Sequence, residues 1–284
     1  MTNLLRLTTI FADLDHPECV AWGPDGFAYA GGEDGQVYRV NIEDGTREEY
    51  ANTGGFVLGL ALDADLNVYA CDLKRQEVVK VTPEGDCSSY AKGPEGRPIQ
   101  LPNYPVFDDA GTLYVSDSGE WGERNGLIWR VPAGGGTAEV WSEACRGFTN
   151  GMCLTAEGDA LYVVESSPPL VARVEILPDG GAGERSVVVE LPRTVPDGVA
   201  LDVEGSLFVS CFNPNVIYRV SPDGELTTMY DDWEQLQLKA PTNMAFGGPD
   251  LKTLIVSGVA WRDLNTAPMD VAGLPVRRPR IEVG

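Results

Sequence analysis

Hydrophobic and polar positions along this chain alternate in short runs, separated by turns rich in Asp, Gly and Pro. In TVPDGVALDVEGSLFVSCF, residues 194–212, a strand pattern (VALDV) meets a tight VEG turn and then a second strand pattern (SLFVSCF). Alternation at period two predicts strands, and a turn Gly accepts the positive φ that a hairpin needs. Five other segments repeat the unit: HPECVAWGPDGFAYAGG from 16, FVLGLALDADLNVYACD from 56, LPNYPVFDDAGTLYVSD from 101, FTNGMCLTAEGDALYVVE from 148 and APTNMAFGGPDLKTLIVSG from 240. Most continue into a third strand ending in a hydrophobic–basic pattern: QVYRV, EVVKV, LIWRV, LVARV and VIYRV.

One position near the start of each first strand sets a common register. It is occupied by Glu18, Leu58, Asn103, Asn150, Asp197 and Thr242, at spacings of 40, 45, 47, 47 and 45 residues. Six β-repeats of this period predict an all-β, six-bladed β-propeller forming a single domain over residues 1–284. Separate sandwich domains would not place the same turn at the same phase six times. The unit from 240 has too few strands to complete a blade, whereas the N-terminal LLRLTTIFADL reads as a strand with no blade of its own. That strand is therefore expected to close the sixth blade as its outer strand, pairing the terminal edges.

Composition narrows the partners. The net charge is −22, from 43 acidic against 21 basic side chains, so nucleic acid and anionic lipid should be repelled. No run of 18 apolar residues suggests a membrane helix, and the N-terminus lacks the pattern of a signal peptide. The expected location is cytoplasmic. The six cysteines form no CxxC pair and are expected to be reduced, buried thiols. A single histidine, His16, excludes a two-His metal motif within one chain, and no GxSxG accompanies it to suggest a Ser–His–Asp triad.

Candidate chemistry comes from the register positions. Asp197 stands between Pro196 and Gly198, where a strand favours an apolar or β-branched residue. In a propeller the first strands line the central channel, so the six register residues should converge at one mouth. Four of them, Glu18, Asn103, Asn150 and Asp197, carry oxygen donors. Taken singly, Asn and Asp are common where turns lead into strands. Together, two carboxylates sharing a low-dielectric mouth repel each other unless a cation or proton lies between them, and no Lys or Arg holds a register position. The set suits one hard divalent cation with open positions for water and substrate. Calcium is favoured, with magnesium, manganese, zinc or ferrous iron as alternatives.

On these residues the chain resembles the senescence-marker-protein/gluconolactonase, or regucalcin-like, family. The resemblance spans nearly its whole length and is carried by HPECVAW, LPNYPVFDDAGTLYVSD, TNGMCLTAEGDALYVVES, PDGVALDVEGSLFVS and PTNMAFGGPDLKTLIVS. It implies a six-bladed propeller binding one divalent metal through a Glu, an Asn and an Asp, roles that fall on Glu18, Asn150 and Asp197. A further Asn near metal and substrate falls on Asn103. Implied substrates are sugar lactones, other lactones or organophosphates. Sugar-lactone hydrolases similar to this chain often carry an Arg two residues before that further Asn. Leu101 stands there instead, which leaves room for a less polar lactone.

The expected reaction is hydrolysis of a small lactone or ester, with Asp197 accepting the proton of the attacking water and Glu18 mainly a ligand. Substrate contacts are expected from Asn103, from Glu120 and Trp121 in the long loop SDSGEWGERNG, and from His16, with Phe148 and Trp261 as apolar walls. The competing readings are a non-catalytic metal-binding scaffold and a phosphotriester hydrolase using the same site. A monomer suffices for any of them.

Overall fold

A computed structural model describes residues 4–281. The first and last three positions of the expected 1–284 domain lie outside the described residues. The described residues contain no helix, and none is therefore long and apolar enough to cross a membrane. Six sheets form the six blades of a propeller.

In each blade the period-two pattern gives four antiparallel strands, running outward from the channel. Blade one is Val20–Trp22, Ala28–Gly31, Gln36–Val40 and Arg47–Asn52; blade two is Val57–Leu62, Val68–Asp72, Glu77–Val81 and Cys87–Lys92. Blade three is Pro102–Phe107, Leu113–Asp117, Leu127–Val131 and Glu139–Ser142, and Gly136–Thr137 adds a short parallel strand to the edge of blade two. Blade four is Thr149–Leu154, Ala160–Ser166, Pro169–Ile176 and Ala182–Glu190; blade five is Val195–Leu201, Leu207–Asn213, Val216–Val220 and Leu226–Asp231. Blade six is Pro241–Gly247, Thr253–Gly258 and Leu264–Pro268, completed by the N-terminal Thr8–Ile10. Thr8 faces Thr266 and Ile10 faces Leu264, so the N-terminal strand closes the ring where the sequence predicts.

The core lies between blades. Six hydrophobic clusters fill the six seams; Tyr69, Phe107 and Trp129 join blades two and three, and Phe208, Met244 and Phe246 join blades five and six. Edge-on aromatic pairs cross these seams, with ring centroids 4.8 Å apart for Tyr69–Phe107 and 5.5 Å for Phe208–Phe246. Four of the six cysteines (Cys19, Cys71, Cys145 and Cys211) are buried free thiols, Cys153 is half-buried, and Cys87 is exposed. Cys87 departs from expectation because it opens an outer strand, CSSYAK, whose first three residues face solvent.

Each first strand runs away from one end of the channel and each second strand returns to it. The loops after second strands and the links between blades therefore gather at that end, here called the mouth.

Candidate functional site

All six register residues reach one small cavity at the mouth. Glu18, Leu58, Asn103, Asn150, Asp197 and Thr242 line it, together with Cys19, Gly59, Tyr104 and Asn243. Its volume is about 10 Å³, room for one water molecule or one small ion. The close approach of six strands needs glycine at three points; a Cβ on Gly59 would stand 2.3 Å from the Asn103 carbonyl oxygen. A Cβ on Gly151 would stand 2.7 Å from the Asp197 carbonyl oxygen, and one on Gly198 2.6 Å from that of Thr242. All three glycines follow a ring residue directly, so they set how tightly the ring closes.

The amides Asn103 and Asn150 are buried, while Glu18 and Asp197 are half-buried beside the open mouth. Burial pushes the Glu18 carboxyl up to about 7. Asp197 is raised well above the carboxylate range, first by burial and then by the charge of Glu18, against a hydrogen bond from Asn150. Two acids that hold their protons so tightly form a site in which a cation can replace a proton. No Lys or Arg lines the cavity. Burial raises the Cys19 thiol and the Tyr104 phenol far above neutrality, so neither offers an anionic ligand at neutral pH. The register residues then supply two carboxylates and two carboxamides, an all-oxygen set that fits a hard divalent cation, while the third carboxamide of the lining, Asn243, accepts through Oδ1 from Val20 N at 3.3 Å. Among the described residues no cluster of three or more His, Cys, Asp or Glu side chains forms; the ring reaches its donor count through amides.

Two groups of side chains that the sequence pattern did not single out hold this ring. The first is serine on the second strands. Ser210 Oγ accepts from Gly198 N at 3.1 Å and donates to the Thr242 carbonyl of the next blade at 3.2 Å. Ser116 and Ser257 share its phase: Ser116 Oγ accepts from Tyr104 N at 3.0 Å, and Ser257 Oγ reaches the Glu18 carbonyl at 3.4 Å. Ser118 and Ser166 take a neighbouring phase and donate to the carbonyls of Thr149 and Pro196, each at 2.7 Å. The second group is buried acid. Asp117 accepts from the Gln100 and Leu101 amides and from Trp129 Nε1, all at 2.9 Å, fixing the turn that leads to Asn103. Glu165 accepts from Gly147 N at 2.7 Å and pairs with Arg185, fixing the turn that leads to Asn150. The signal was present as a recurring VSD, VES and VSC at the ends of second strands.

The remaining expected contacts do not line the ring. His16 is exposed at φ 43° and its Nδ1 lies 3.1 Å from both Asp15 and Glu33, an acidic surface cluster. Glu120 is exposed on the long loop, where its backbone amide donates to Asn125 Oδ1 at 2.9 Å. Trp121 leans edge-on against Phe148, which stands two residues before Asn150, with centroids 5.0 Å apart, and it stays 58% exposed. Trp261 takes Lys239 Nζ 4.6 Å from its ring centroid. Phe212, near the end of blade five's second strand, and Trp233 and Leu236, in the link after its fourth strand, are exposed at the same end, which also carries charged loop residues such as Glu33, Asp34 and Lys74.

The six-bladed propeller fold is shared with solved gluconolactonase structures. The SMP-30/Gluconolactonase/LRE-like region matches residues 17–260, and the chain belongs to that family. It is 31% identical over 236 residues to a 6-deoxy-6-sulfogluconolactonase from Pseudomonas putida, covering 79% of this chain and 72% of the relative. It is 26% identical over 232 residues to the pentonolactonase XacC of Haloferax volcanii, covering 79% and 74% respectively. In structure it resembles a gluconolactonase from Xanthomonas campestris, with a TM-score of 0.80 at 19% identity over 94% of this chain and 91% of that one. A calcium-binding regucalcin from Agrobacterium tumefaciens superposes with a TM-score of 0.79 at 17% identity, over 96% and 97%.

Proposed function

We propose that this chain hydrolyses a small lactone at the ring, with Glu18, Asn150, Asp197 and Asn103 holding one divalent cation, calcium by preference. The observation that carries the reading is the convergence of two carboxylates and two carboxamides from the register positions on one ion-sized cavity that no basic side chain lines. Membership of a family whose relatives are named lactonases supports it.

When bound, the cation supplies positive charge beside the lactone carbonyl oxygen, where negative charge develops as water adds. Asp197 accepts the proton of the attacking water. The carbon–oxygen bond of the ring then breaks, and Asp197 returns the proton to the departing alkoxide, so one water is consumed and a hydroxycarboxylate leaves. Glu18 balances charge and holds position. Asn103 orients the carbonyl, its turn fixed through Leu101 and Asp117.

The rim bears on the ring preferred. Leu101, Trp121, Phe212 and Trp233 offer apolar surface to the substrate's far side, favouring a lactone less polar than a sugar lactone. Hydrolysis rates across gluconolactone and aliphatic γ- and δ-lactones, for wild type and Asp197→Asn, test the reading. Faster turnover of aliphatic rings, lost in the variant, is expected. No hydrolysis of any lactone by metal-loaded protein would refute it.

A further inference from the structure

The channel continues below the ring. There the first strands of all six blades enclose a second cavity of about 120 Å³, walled by side chains such as Val20, Leu60, Val106, Met152, Val199 and Met244. Tyr104 borders both cavities. The far end is crossed by the C-terminal tail, which follows the family-matched residues 17–260. Leu274 N donates to the Leu201 carbonyl at 2.7 Å and Gly273 bridges Asp202 in blade five. The Pro279 carbonyl then accepts from Ala64 N at 3.1 Å, and Arg280 lies 3.0 Å from Asp65 in blade two. The tail is thus a strap tied to both sides of the channel.

The strap brings two guanidinium groups to the cavity, Arg277 and Arg278. Arg277 is engaged: it lies 3.2 Å from Asp109 and donates to the Ala156 carbonyl at 2.6 Å. Arg278 is engaged at one end only. Its Nη2 donates to the Trp22 carbonyl, its Nε is buried without a hydrogen-bond partner, and among the described residues it forms no ion pair. Asp25, whose charge reaches it, binds Arg39 at 2.7 Å and the Tyr29 hydroxyl at 2.9 Å through Oδ2; its Oδ1 is buried without a hydrogen-bond partner, yet it forms no ion pair with Arg278. This chain has 43 acids for 21 bases, yet it leaves a cation unpaired against an apolar chamber. A desolvated, unpaired guanidinium is costly unless an anion completes it.

We propose that this lower chamber is a second binding site, for a linear monocarboxylate whose alkyl chain lies along the first strands and whose carboxylate meets Arg278. The chamber supplies the two recognition elements separately: apolar walls for the chain, and a charge-assisted donor that a carboxylate matches. The site is independent of the ring and of the reaction there.

Titration calorimetry and native mass spectrometry of the full chain with octanoate and decanoate test the proposal. One equivalent of either should bind saturably, with decanol binding more weakly. Arg278→Gln should weaken decanoate by about tenfold or more by removing the charged donor. Ala245→Leu, which adds bulk to the chamber wall without touching the charge, should weaken it as well. Both variants should keep wild-type lactone hydrolysis. Absence of saturable binding to the wild type would overturn the proposal, leaving Arg278 as a structural counter-charge to Asp25. Binding that both variants leave unchanged would overturn it too, by placing the ligand elsewhere.

Discussion

Thr242 Oγ1 donates a hydrogen bond to the backbone carbonyl of Glu18 at 2.6 Å, so the last blade holds the first blade's ring residue in place. The seam that closes the propeller is therefore also a wall of the candidate site. Thr242→Val removes the donor and leaves the Glu18 carbonyl with Ser257 Oγ at 3.4 Å. A loss of about 1–3 kcal/mol is expected from the under-satisfied buried carbonyl. Because Glu18 shifts, kcat should fall more than KM changes, and Thr242→Ser should restore both. Unchanged kcat in a destabilised Thr242→Val would show that the seam does not serve the site.

The two ring carboxylates should not be interchangeable with their amides. Asp197→Asn keeps the volume and removes the proton acceptor, and a fall in kcat of about 10²- to 10⁴-fold is expected. Glu18→Gln removes one of the two charges and should lower divalent-cation affinity along with activity. Both proteins should melt close to wild type, since removing a carboxylate from a crowded, desolvated pair relieves repulsion. Activity assays paired with thermal melts check this.

Trp121 should tune specificity and leave the chemistry alone. It stands exposed at the rim, packed on Phe148 and away from the ring. Trp121→Ala should raise KM for aliphatic lactones several-fold, with kcat little changed and gluconolactone less affected. A selective collapse of kcat would instead place the indole at the reacting atoms.

Asp232 gives the pH dependence of stability a defined source. Burial would raise its carboxyl, but the amides of Leu238, Gln237 and Leu236, bonded at 2.6, 2.7 and 3.1 Å, outweigh it and hold it below the ordinary 3.8. With the folded value depressed, the contribution is present above the unfolded value and is lost as pH falls through the folded one. Asp232→Ala should therefore cost about 1.5–3 kcal/mol at neutral pH, and much less below the depressed value. Urea melts of both proteins across that range measure the difference. An equal cost at all pH values would contradict the assignment.

The fold was legible because its signal repeats. A hairpin with Asp and Gly at one phase, six times over, leaves few architectures, and the orphan N-terminal strand had one blade short of an edge to join. The ring was legible because Asp197 and Glu18 are the wrong residue types for channel-lining strands unless they serve chemistry. The supports were harder to see. Ser116, Ser210 and Ser257 look like ordinary polar residues in strands, and only the assembled ring shows that Ser116 bonds its own blade's first strand at Tyr104 while Ser210 and Ser257 bond across to the next blade. Asp117 and Glu165 could equally have been solvent-facing ends of strands. His16 shows the reverse problem: its rarity drew attention, yet the fold keeps it on the surface between Asp15 and Glu33. The strap of residues 273–280 has no repeat to betray it, because its place is set by backbone bonds to turns far away in sequence.

The ring is proposed as a metal-dependent lactone-hydrolysing site. The most direct measurement is the rate of lactone hydrolysis by chelator-stripped protein, verified free of metal, before and after adding calcium, magnesium, manganese or zinc. Negligible hydrolysis by the stripped protein, recovery with at least one ion, and no recovery in Asp197→Asn are expected. Full activity in the metal-free protein would contradict it.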